Sequence, residues 1–117
     1  MAFGVCLYFD QDTEKKIFSV WQKLADERLT TSLLDIGVKP HIALAVFEQG
    51  NVECLYGPTK TFAESIKPFR VVLCSIGSFP IEIKPIFSSP VPTKELLETH
   101  AQFHNYISSE DLSCQMY

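Results

Sequence analysis

No stretch of the 117 residues approaches the ~20 consecutive apolar residues that span a bilayer, so no membrane-crossing segment is expected. The first apolar run, residues 2–9, lacks a basic flank and meets Asp10, Asp12 and Glu14 at once. It reads as a strand and not as a secretory signal, and the cytoplasm is the expected compartment. Basic residues are few: ten Lys and Arg against fourteen Asp and Glu leave a net charge of −4. A surface for duplex nucleic acid needs a basic stripe, and the chain has none, so any phosphate chemistry must rest on a few local groups. Cysteine is sparse as well. Cys6, Cys54, Cys74 and Cys114 form no C-x-x-C pair, which argues against a structural zinc site and a thioredoxin-like motif. Reduced thiols are expected, with Cys6 and Cys74 inside apolar strand patterns where buried thiols are common. Histidine is scarcer still, with three in the whole chain.

What is present is an ordinary globular mix, 46% hydrophobic and 21% charged, long enough for one domain over residues 1–117 with a real core. Residues 3–9 (FGVCLYF) read as a buried strand ended by Asp10-Gln11-Asp12. Asp10 or Asp12 can cap a following helix, whose apolar stripe is Ile17, Val20, Trp21 and Leu24 at i, i+3, i+4 and i+7. Residues 32–39 read as a connection, and Pro40 favours an extended start to a second strand over residues 42–47. A helical turn over 52–56 and a short helix over 59–66, stopped by Pro68, come next. A third strand over 69–76 follows. Ile81-Glu82-Ile83-Lys84 alternates as a half-wet strand, with 85–89 as an irregular continuation. Thr93 is a natural N-cap for a last helix striped by Leu96, Phe103 and Ile107. Short strands with interleaved helices make the expected class α+β, an antiparallel sheet with helices on its outer face.

One histidine stands at the head of the second strand, in Lys39-Pro40-His41-Ile42-Ala43-Leu44-Ala45-Val46-Phe47. Side chains alternate along a strand, so His41, Ala43, Ala45 and Phe47 share one face and Ile42, Leu44 and Val46 the other. The second face reads as core. The first carries a histidine, two small residues and an aromatic, as a groove floor would, with His41 placed to move protons near neutral pH. A histidine at a strand start also serves as a plain structural or half-exposed polar residue. His100 and His104, four apart on the last helix, have the spacing of a metal pair, but no further ligand spacing supports one, and they read as semi-buried flanks of the apolar stripe.

Leu33-Leu34-Asp35-Ile36-Gly37 followed by KPHIALAVF resembles the first active-site segment of the two-histidine (2H) phosphoesterase superfamily, which includes 2′-5′ RNA ligase-like proteins and cyclic phosphodiesterases. The layout is similar too: a strand ending near Phe9-Asp10, a helix with Trp21, then the histidine strand. Later come Ile76-Gly77-Ser78-Phe79-Pro80 and Pro90-Val91-Pro92-Thr93 before a leucine-bearing helix. The resemblance covers most of residues 3–107. It implies a bilobal fold in which each lobe gives one His-x-(Thr/Ser) motif to a central groove. One imidazole acts as base, the other as acid, and two hydroxyls hold phosphate oxygens without metal or cofactor. His41 is then the catalytic residue, with Ala43, Phe47 and Lys39 at the substrate; Lys39 and Arg70 are the nearest phosphate contacts the sequence offers, although both read first as solvated surface charge. The ligand expected is a small cyclic phosphate, a nucleotide or an RNA end.

The chain departs from that pattern twice. Ala43 stands where the family has Thr or Ser, and no second His-x-(Thr/Ser) occurs. The sequence therefore looks like the first part of a bilobal enzyme, ended early, and weak or no turnover is expected of it alone. A homodimer pairing two copies of His41 is one way to complete the groove. A non-catalytic nucleotide-binding or protein-interaction module is the alternative reading.

Overall fold

The computed structural model describes residues 2–80, 82, 86–109 and 114–116. Strand β1 (Phe3–Tyr8) leads into helix α1 (Gln11–Asp26), and Asp10 caps that helix as its position predicts. Its carboxylate accepts from the Thr13 backbone N–H at 3.2 Å and from the Thr13 hydroxyl at 2.6 Å. These bonds favour the charged form, so they hold the Asp10 carboxyl below its ordinary pKa. A one-turn helix α2 (Ser32–Asp35) then precedes β2 (His41–Gly50). A 3-10 turn at Val52–Leu55 runs into α3 (Tyr56–Ser65), followed by β3 (Leu73–Ser78), β4 (Ile86–Pro90), α4 (Lys94–Ser109) and β5 (Cys114–Met116).

The class is α+β, as the sequence reads. One sheet has the order β1-β2-β5 with β2 in the middle; β3 and β4 pair antiparallel in a second. β2 and β5 are antiparallel, with an irregularity between Phe47 and Gln49. Helix α3 starts earlier than expected, and Pro58 falls in its first turn, where a missing N–H costs no helical bond. β3 begins at Leu73, four residues later than the apolar run suggests. The strand expected over 81–84 lies outside the described residues, apart from Glu82, which is in a turn. The irregular continuation expected over 85–89 is seen from Ile86 as strand β4, paired with β3 through Ser75↔Ser89 and Gly77↔Phe87 with a register shift between Leu73 and Ser75.

The chain divides into two compact units, one of Met1–Leu7, Ala43–Val72 and Val91–Tyr117, the other of Tyr8–Ile42 and Leu73–Pro90. The first holds the core: Leu44, Phe47, Leu55, Phe62, Phe103 and Ile107 are buried. Phe62 meets the Phe103 ring edge-on at 5.1 Å, and Phe3 stacks on Phe47 at 5.5 Å. The expected stripe of α4 is buried here, joined by Thr99, whose hydroxyl donates to the Glu95 carbonyl at 2.7 Å. Thr93 caps α4 by accepting from the Leu96 N–H at 3.3 Å. Thr93→Ala is expected to cost about 1 kcal/mol in urea unfolding, whereas Thr93→Ser, which keeps the acceptor, changes little.

The second unit is built differently. Among its described residues only Pro40 is buried. Helix α1 carries the expected stripe, yet Ile17, Trp21 and Leu24 are only half-buried and Val20 is exposed. The β3–β4 pair brings Phe87 over Gly77, where any added Cβ would run into the Phe87 ring.

Candidate functional site

Pro40 fixes the backbone entering β2 and is itself buried, while His41, the first residue of the strand, is exposed. The His41 Nδ1 lies 2.7 Å from the Lys39 carbonyl oxygen. A carbonyl only accepts, so Nδ1 carries the proton and the neutral ring presents the lone pair of Nε2 outward. Tyr8 stands edge-on to the His41 ring at 6.3 Å. The Lys39 ammonium sits 4.9 Å from the Tyr8 ring centroid and 3.6 Å from a Glu14 carboxylate oxygen. That ion pair is largely exposed and adds little to stability. Its value is positional: it keeps a cation on the same side of Tyr8 as the imidazole.

Lys39, Pro40 and His41 are among the residues lining a cavity of about 430 Å³. Its walls are apolar. Ile17, Val20, Trp21 and Leu24 line it from α1, and Ile76 and Phe87 from the β3–β4 pair. The four helix residues are the stripe that periodicity marks as core-facing, and here the stripe faces a cavity. That outcome is not legible in the sequence, since helical spacing identifies which side chains share a face but not what lies opposite.

Further along β2 the expected groove floor does not continue. Ala43 is exposed, but Ala45 is buried and Phe47 is only 1% exposed, stacked on Phe3. Phe47 is a core residue and not a substrate contact. The opposite face is not uniform either: Leu44 is buried, Ile42 half-buried, and Val46 38% exposed. Between β1 and β5, the strand buries Leu44 on one face and Ala45 and Phe47 on the other while leaving Val46 exposed, so strict alternation between an open and a closed face fails there. Arg70 is exposed on the first unit.

His100 and His104 stack with ring centroids 4.2 Å apart. His104 Nε2 donates to the Leu44 carbonyl at 2.6 Å, tying α4 to β2 across sixty residues of sequence. That bond gives His104 a structural role, which spacing alone hides. Among the described residues no three His, Cys, Asp or Glu side chains come together to hold a metal. Of the thiols, Cys6 is half-buried, and burial pushes its pKa up, which disfavours the thiolate. Cys74 is exposed, contrary to the buried thiol its apolar context suggests, and its Sγ contacts the Ser89 carbonyl at 3.4 Å.

Among the described residues no helix is long and apolar enough to cross a membrane. No family model, no curated protein and no solved structure matches this chain.

Proposed function

We propose that the chain binds phosphate esters at His41 and acts as a weak two-histidine-type phosphodiesterase on small cyclic phosphates, nucleotides or RNA ends. The observation that carries this reading is the fixed His41 ring: Nδ1 is held by the Lys39 carbonyl, and the exposed residue lines a cavity. A neutral Nε2 takes a proton from water as the water oxygen attacks phosphorus. A protonated Nε2 instead donates to the departing oxygen. Lys39 beside it draws the anionic ester toward the ring.

One imidazole performs one of these two transfers at a time. The 117 residues hold no second motif, and losing one proton-transfer partner lowers the rate by about 10²–10⁴-fold. Low turnover follows unless a second copy of the chain supplies another His41. The test is metal-free hydrolysis of a 2′,3′-cyclic nucleotide by the purified chain against His41→Ala. The substitution is expected to lower turnover at least a hundredfold. Equal rates in the two proteins would sink the reading. Specific activity that rises with protein concentration would identify the second copy as the source of the missing group.

A second reading, a nucleotide-binding module without turnover, is favoured by Ala43, which offers no hydroxyl where the resembled motif has one. Retention of the cyclic nucleotide that depends on His41, without hydrolysis, would select it.

A further inference from the structure

The second unit has an apolar stripe that is only half-buried at Ile17, Trp21 and Leu24 and exposed at Val20. A helix of sixteen residues whose apolar side chains sit at i, i+3, i+4 and i+7 normally buries them, yet no residue of α1 is buried. In the same lining, Ile76 is 74% exposed and Phe87 is partly exposed, and the space bounded by the lining measures about 430 Å³. That volume falls in the range of small-molecule sites, which are mostly apolar with a few polar groups gathered at one place. Here the charged and imidazole groups of the lining are Lys39 and His41, which both meet Tyr8, with Ser88 as a further hydroxyl.

We infer that this cavity takes the apolar tail of a single-chain amphiphile whose phosphate head sits at Lys39 and His41. The ligand class is therefore an alkyl or aryl phosphate ester, not a bare nucleotide. Apolar walls reward each buried methylene, and Lys39 and His41, gathered around Tyr8, receive the charged head. A cavity walled by α1 on one side and by Ile76 and Phe87 on another suits a slender chain better than a flat protein surface. The inference rests on the proposed reading only for the position of the head group. Tail binding needs no turnover.

Trp21 is the single tryptophan of the chain and lines the cavity, so its fluorescence reports occupancy directly. The full-length chain is titrated with inorganic phosphate, n-butyl phosphate, n-octyl phosphate below its micelle concentration, and 1-octanol. The octyl ester is expected to bind about a hundredfold or more tighter than the butyl ester, since each buried methylene contributes about threefold to fourfold. Val20→Glu places a charge on the half-exposed wall without touching the core, and it should weaken octyl phosphate at least tenfold. Val20→Leu should not. Lys39→Gln should weaken octyl phosphate severalfold and leave 1-octanol unchanged.

Equal affinity for the two esters would overturn the inference, as would binding only to vesicles of phosphatidylcholine with phosphatidic acid. A Trp21 spectrum that shifts with protein concentration while octyl phosphate has no effect would also overturn it, because a second copy would then fill the space. Octyl phosphate binding with no cyclic-nucleotide hydrolysis would leave this inference standing and remove the catalytic one. Hydrolysis without chain-length dependence would do the reverse.

Discussion

Replacing Phe103 by alanine is expected to cost about 3–5 kcal/mol of folding free energy, the range for removing a large aromatic from a packed core. Phe103 is 0% exposed and meets Phe62 edge-on at 5.1 Å, so both the lost transfer energy and the cavity left behind count fully. Small domains are stable by roughly 5–15 kcal/mol, and a loss of this size brings such a fold close to its unfolding midpoint at ambient temperature. The paired control is Leu97→Ala on the same helix. Leu97 is exposed, and its truncation should stay within about 0.5 kcal/mol. Urea unfolding followed by circular dichroism separates the two. A Phe103→Ala loss no greater than that of Leu97→Ala would mean that α4 does not pack as described.

The contrast between Phe103 and Trp21 shows what a sequence can and cannot reveal. Both sit on helical stripes of good spacing. The stripe of α4 is buried because α3 and β2 supply Phe62, Leu44 and Phe47 in the same core. The stripe of α1 has the same signature, yet none of its residues is buried and all four line a cavity. Local signals were legible: Asp10 and Thr93 as caps, α1 and α4 as helices, and His41 at the head of a strand all follow from nearest-neighbour chemistry. Contacts between distant residues were not. The bond from His104 to the Leu44 carbonyl, and the packing of Phe47 against Phe3 and the core, depend on residues far apart in the sequence. The candidate site divides in the same way. His41 and Lys39 could be read from one short segment, whereas the cavity beside them needed α1 and the β3–β4 pair to be placed in space.

Ala43→Thr is expected to raise turnover of a 2′,3′-cyclic nucleotide about tenfold to a hundredfold. Ala43 lies two residues after His41 on β2, and alternation along a strand sends the two side chains the same way. Both are exposed, so a threonine meets no packed neighbour, and β-branched residues suit strands. The added hydroxyl donates to an anionic phosphate oxygen. A hydrogen bond to a charged group contributes about 1.5–3 kcal/mol, which is a factor of ten to a hundred or more in rate when it is felt in the transition state. Ala43→Val has nearly the same shape without the hydroxyl and should show no gain. In the His41→Ala background the threonine should lose its effect on turnover, because the hydroxyl orients an ester that then has no proton acceptor beside it. Equal gains from threonine and valine would assign the change to strand stability, and position 43 would drop out of the site. A gain confined to threonine and dependent on His41 would place phosphate between the two side chains and make Ala43 the residue that holds this chain's activity down.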